Sequence, residues 1–128
     1  MGKLKFYRCS ECGNLLLVLV DPSVKPVCCG NEMSEEKTNQ TSADNVNHVP
    51  VIELDGDRAT VSVSTEAHPM MAEHRIEWII LIDGPSVDIQ RLPLTGTAVA
   101  NFVLSNHGTE RLSAYAFCNL HGLWESEE

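Results

Sequence analysis

VPVIELDGDRATVSVS, residues 49–64, is the stretch whose reading decides the fold. Two short runs rich in β-branched residues flank an Asp-Gly pair, Asp55-Gly56, and such a pair between such runs is the strongest short hairpin signal. Downstream the pattern continues with RIEWIILI (75–82), SVDIQRL (86–92), TAVANFVLS (97–105) and RLSAYAFC (111–118), each bounded by turn residues. IDGPS at 82–86 is a second turn of the same kind. Several short strands at this spacing predict an immunoglobulin-like antiparallel β-sandwich and not a βαβ unit. No helix longer than a turn or two is expected, and there is no internal repeat.

Upstream of this stretch the chain changes character twice. SEEKTNQTSADN (34–45) is polar and has no hydrophobic period, so it reads as an exposed connector. Before it lie two cysteine pairs around a short apolar segment. The expected division of the 128 residues is a small cysteine module over 1–37, a connector over 38–47 and the sandwich over 48–128. A module of that size cannot bury enough surface to fold unaided, so a metal or disulfides are expected to hold it together.

The formal net charge is −9 and it is unevenly spread. Lys3, Lys5, Arg8, Lys25 and Lys37 balance the acidic groups of the first 37 residues, so the whole excess falls on the remainder. Clustered Lys and Arg, which a nucleic-acid backbone rewards, are missing, and so is a basic amphipathic stretch suited to a membrane surface. No nucleic-acid or membrane partner is expected. LLLVLV at 15–20 is far short of the roughly 20 apolar residues of a membrane span and is stopped by Asp21-Pro22. It also lacks the flanks of a signal peptide, so the expected location is the cytoplasm.

Cys9 and Cys12 form CSEC, and Cys28 and Cys29 form VCCG. A Cys-x-x-Cys pair followed by a second pair is a metal-knuckle spacing, and four thiolates can surround one ion tetrahedrally. Two disulfides are the alternative, disfavoured where thiols stay reduced. Tetrahedral sulfur suits zinc and iron alike. Adjacent cysteines start on opposite sides of an extended backbone. Cys28 and Cys29 can therefore share an ion only if the chain bends there, and Gly30 offers the freedom to bend. A distorted tetrahedron is expected.

The second part holds one cysteine and all five histidines. Cys118 and His121, in CNLHG, are spaced so that both side chains can turn toward one point in a loop. His68 and His74 stand at the ends of the short loop HPMMAEH. Each has a plainer reading: His74 as a polar strand-edge residue, His121 as a turn residue, Cys118 as a small buried hydrophobe. His107, in SNHGT, reads as a turn residue.

Taken together these motifs resemble a known family. YRCSECGNLLLVL and VCCGNEM are similar to the N-terminal desulforedoxin-like domain of the desulfoferrodoxins, which resembles a rubredoxin site. HVPVIE, AHPMMAEHRIEWI and YAFCNLHGLWE resemble the catalytic domain that desulfoferrodoxins share with neelaredoxins, the superoxide reductases. The resemblance implies two iron ions per chain. One is held by the sulfurs of Cys9, Cys12, Cys28 and Cys29. The other is held by four imidazoles, from His48, His68, His74 and His121, with the Cys118 thiolate as axial ligand and an open sixth position for superoxide. It further implies one-electron reduction of superoxide to hydrogen peroxide, a rubredoxin-like electron donor and a homodimer. Backbone N–H groups of Asn119 and Leu120, or of His121, are expected to hydrogen-bond the Cys118 sulfur and tune it.

One place departs from the family. Many superoxide reductases read Glu-Lys-His at the first histidine, whereas this chain reads Val46-Asn47-His48. Valine cannot coordinate iron, and asparagine brings no charge to attract an anion. Slower encounter with superoxide is expected, because an acidic domain repels an anion over a Debye length of about 8 Å. Arg75 and Lys37 are the nearest candidates in sequence for a substitute charge. The competing reading is a non-enzymatic protein with two metals, serving electron transfer or holding structural zinc.

Overall fold

The computed structural model describes residues 4–21, 23–38, 49–63, 70–94, 96–105 and 112–126. The chain divides into two compact units, Met1–Lys37 and Thr38–Glu128. Among the described residues the regular structure is all β, and no helix is long and apolar enough to cross a membrane.

In the first unit, β1 (Phe6–Arg8) lies between β2 (Leu15–Leu17) and β5 (Ser34–Glu36) in a three-stranded antiparallel sheet. A separate two-stranded ribbon joins β3 (Val27–Cys28) to β4 (Asn31–Glu32). Tyr7, Cys9 and Met33 form the small core, with Val18 and Cys28 against it. β5 corrects the sequence reading, which placed Ser34–Glu36 in an exposed connector. Its three residues pair with β1 through Phe6↔Glu36, Tyr7↔Glu35 and Arg8↔Ser34. Main-chain hydrogen bonds make this strand, so its side chains need no hydrophobic alternation.

The second unit is a sandwich of two antiparallel sheets. One has the order β10 (Val99–Val103), β7 (Arg58–Val63), β6 (Pro50–Asp55), and the other β12 (Gly122–Glu125), β11 (Leu112–Cys118), β8 (Ile76–Asp83), β9 (Ser86–Arg91). Strands β7 and β10 alternate between buried and open positions, as half-buried strands do. Their inward residues Ala59, Val61, Val63, Ala100 and Phe102 meet Ile76, Ile79 and Leu81 of β8 and Ala114, Ala116 and Cys118 of β11. Cys118 is thus a member of the hydrophobic core as well as a candidate ligand. Fully burying a Val, Ile, Leu or Phe side chain stabilises by about 1.5–3 kcal/mol.

The 49–64 stretch forms the β6–β7 hairpin, with Asp55 opposite Arg58. The two loop residues are Gly56 and Asp57, and Gly56 has φ +64°. Glycine at the first loop position is the mark of a type II′ turn, which matches the twist of the strands. The IDGPS turn repeats the arrangement, with Asp83 opposite Ser86 and Gly84-Pro85 between them. Asp83 is buried and accepts the Ser105 N–H at 2.7 Å, which satisfies its carboxylate inside the fold. Strand β12 was not singled out in the sequence, because it lies directly behind the turn residues of CNLHG.

Candidate metal centres

The first centre is built on two tight turns. After β1 the chain folds back so that Cys9 N–H donates to Asn14 O and Gly13 N–H donates to Cys9 O, both at 2.9 Å. This turn directs the N–H groups of Cys12 and Glu11 at the Cys9 sulfur. They pull its thiol down to about 7 against the opposing effect of burial. On the other side, Cys29 and Gly30 are the two loop residues of the β3–β4 hairpin, closed by Cys28↔Asn31. Both have positive φ, +55° at Cys29 and +79° at Gly30, which is the type I′ pattern. The bend expected at Gly30 is therefore shared by Cys29, a non-glycine residue in the left-handed region. That conformation costs about 1–2 kcal/mol, and it is what swings the Cys29 sulfur to the same side as that of Cys28.

The four sulfurs lie within 4.8 Å of one another. Cys12 Sγ is 3.7 Å from Cys28 Sγ, and Cys28 Sγ is 3.9 Å from Cys29 Sγ. Four thiolates about 2.3 Å from one ion define a tetrahedron with edges of about 3.8 Å, so the set fits a metal. All five cysteines of the chain are free, and no disulfide competes. Crowding explains the acidities: the sulfurs of Cys9, Cys12 and Cys28 push the Cys29 thiol up to about 12, and Cys9 and Cys12 push Cys28 up as well. Four like charges cannot collect here without a cation to offset them.

The second centre is assembled from distant segments. Cys118 ends β11 opposite Ile76, just past an irregularity in register between Phe117 and Cys118. Such a shift re-aims a side chain at the end of a ladder. His74 stands two residues before β8, and His121 closes the turn that leads into β12. Ligand atoms of His74, Cys118 and His121 lie within 4.8 Å of one another. Cys118 Sγ is 3.6 Å from His121 Nδ1, and the His74 and His121 rings meet edge to face at 5.0 Å. A thiolate and an imidazole on one ion stand about 3.1 Å apart at a right angle and about 3.6 Å at a tetrahedral angle, so this set fits a metal too. The buried His74 Nε2 makes no hydrogen bond among the described residues.

Burial pushes the Cys118 thiol up, and Glu77 adds to this, while the N–H groups of Leu120 and His121 work the other way. Asn119 is not one of them, contrary to the first alternative expected: its N–H donates to Arg75 O at 3.1 Å, because there the chain still continues the ladder with β8. Burial, followed by His121, holds the His74 imidazole below its ordinary value, the direction that favours the neutral ring whose lone pair a metal needs. Trp124, which sequence reasoning missed, donates its indole N–H to His121 O at 3.2 Å and fixes the turn from behind.

His48, His68, Val46, Asn47 and His107 lie outside the described residues. Arg75, one of the two candidates for a substitute charge, is already engaged by neighbouring groups. Its guanidinium donates to Ala72 O at 2.6 Å and lies 3.7 Å from Glu77. Lys37 is exposed and lies 3.4 Å from Glu35.

The fold and the two donor sets define an all-β protein with two metal-binding clusters, one of four thiolates and one mixing histidine with cysteine. Residues 35–127 match the family model described as Desulfoferrodoxin, and the chain belongs to that family. It is 41% identical to the desulfoferrodoxin of Syntrophotalea carbinolica, over 98% of this chain and 97% of that one. It is 38% identical to a desulfoferrodoxin homolog of Archaeoglobus fulgidus, over 96% of each. Among solved structures, the superoxide reductase of Treponema pallidum superposes with a TM-score of 0.79 at 28% identity, covering 99% of this chain and 100% of that one.

Proposed function

We propose that the chain is a superoxide reductase, acting at a centre built around His74, Cys118 and His121. The observation that carries this reading is the convergence of those three ligands, with two backbone N–H groups on the sulfur, in a member of the desulfoferrodoxin family. His48 and His68 complete the set as the remaining imidazoles. A ferrous ion held by these residues would supply the one electron that, with two protons, converts superoxide to hydrogen peroxide.

The chain's own residues set the terms of that transfer. With four neutral imidazoles around it, the ion would have the Cys118 thiolate as its only anionic ligand. Cys118 resists ionisation when buried, and the ion is what holds it as thiolate. The Leu120 and His121 N–H groups then withdraw part of the sulfur's density, which limits how strongly it pushes. The core residues beside Cys118 exclude water from the sulfur side of the site. Val46 and Asn47, which precede His48 in the sequence, carry no cation to attract the anionic substrate.

Residues 1–37 form a desulforedoxin-like iron domain with Cys9, Cys12, Cys28 and Cys29 as ligands, residues 38–47 a connector, and 48–128 the reductase domain. The four-cysteine centre relays electrons from a rubredoxin-like donor, and the protein works as a homodimer in the cytoplasm. Metal analysis with an optical spectrum tests the assignment. Two irons per chain, with a thiolate-to-iron band appearing when the second centre is oxidised, is the expected result. Zinc at the histidine–cysteine centre of the freshly isolated protein would contradict it.

A further inference from the structure

Asn119 stands where β11 stops pairing with β8 through its main chain. Its N–H donates to Arg75 O, extending the ladder one residue beyond Cys118↔Ile76. There the main chain must turn away, so that the N–H groups of Leu120 and His121 can face the Cys118 sulfur. The side chain of Asn119 continues in its place. Its Oδ1 accepts the Arg75 N–H at 2.8 Å, and its Nδ2 donates to the Glu73 carbonyl at 2.9 Å. A carboxamide offers one acceptor and a donor in the geometry of a peptide group, so it can stand in for a strand residue.

The groups it reaches lie on either side of His74. The main chain of His74 itself is tied to the opposite side, with His74 N–H donating to Met71 O at 3.2 Å and Met71 N–H donating to His74 O at 3.0 Å. Every main-chain polar group from the Glu73 carbonyl to the Arg75 carbonyl is therefore engaged. A backbone held at each of these points fixes where the His74 side chain leaves it, so the ring can turn only about its own side-chain bonds.

We propose that Asn119 is a positioning residue for the metal: its carboxamide brackets His74 and fixes that imidazole against Cys118 and the turn that carries the N–H donors to the sulfur. Neutrality matters here. A carboxylate at this position keeps the acceptor for Arg75 but turns a negative oxygen toward the Glu73 carbonyl. The proposal rests on His74, Cys118 and His121 being ligands of one ion, and not on the reaction that ion performs.

The test uses the iron-loaded full chain and the variants Asn119→Ala and Asn119→Asp. The readouts are iron retention against a chelator, the position of the thiolate-to-iron band, and amide exchange at Arg75 in the metal-free protein. Asn119→Ala is expected to hold iron at the histidine–cysteine centre about 10- to 100-fold more weakly. Its band should move and its Arg75 amide should lose protection, with the four-cysteine spectrum unchanged. Asn119→Asp is expected to keep Arg75 protected and to fall between the wild type and the alanine variant in iron retention. A folded Asn119→Ala with wild-type retention and band position would overturn the proposal. Should the alanine variant not fold, the same two wild-type readings in Asn119→Asp would overturn it. A wild-type protein without a thiolate-to-iron band would instead remove the ligand assignment beneath it.

Discussion

The two centres solve one problem, gathering cysteine and histidine ligands around a cation, by opposite means. The first is local. Its ligands sit on two tight turns, and the closing of the second turn places a non-glycine residue, Cys29, at φ +55°. The second is non-local. Cys118 belongs to a hydrophobic core, His74 comes from the far side of a strand pair, and a side chain, Asn119, completes the ladder where the backbone must turn away. The sulfurs differ accordingly. N–H groups draw the Cys9 thiol down to about 7, whereas burial pushes Cys118 up despite two N–H groups directed at it. A turn-built site depends on its metal for its shape, while a core-built site has its shape from packing and uses the metal for chemistry.

The most severe test of this contrast is Cys118→Ala. It is expected to abolish superoxide consumption and the thiolate-to-iron band while leaving the first centre's spectrum intact. Next in size is removal of metal from the first centre by Cys9→Ser with Cys12→Ser. Residues 4–37 should lose their amide protection in hydrogen exchange, as small metal-held modules do, with β6–β12 still protected. Protection retained throughout the first unit would break the comparison.

Smaller effects sharpen it. Gly30→Ala meets no steric obstacle, since an added Cβ has nothing within 4 Å, so only its φ of +79° opposes the change. Destabilisation of about 1–2 kcal/mol, read as earlier thermal loss of the four-cysteine spectrum, is expected. Trp124→Phe removes the indole donor to His121 O and is expected to lower the stability of the second unit by about 1 kcal/mol in denaturant titration. The smallest change is Asn47→Lys. A positive charge next to His48 in the sequence should raise the second-order rate with superoxide a few-fold and make it fall more steeply with added salt.

Much of this molecule was legible in its residues, for identifiable reasons. Strands β6 to β11 announce themselves through β-branched runs and Asp-Gly turns, and β7, β8, β10 and β11 supply most of the buried core. Cys118 and His121 share a turn, so spacing alone brings them together. What escaped is what main-chain bonding decides. β5 pairs by backbone with polar side chains, β12 is hidden behind turn residues, and Cys29 enters a conformation that only the hairpin register imposes. The bracket around His74 was invisible because no pattern in the sequence links Asn119 to Glu73 and Arg75 across the sheet.

The histidine–cysteine centre is expected to reduce superoxide without dismutating it. Adding a known quantity of superoxide to the fully reduced protein and measuring both peroxide and oxygen tests it most directly. One peroxide per superoxide with no oxygen evolved is the predicted result. Oxygen and peroxide in equal amounts would mean dismutation, and that result, or superoxide surviving as long as in buffer, would contradict the account.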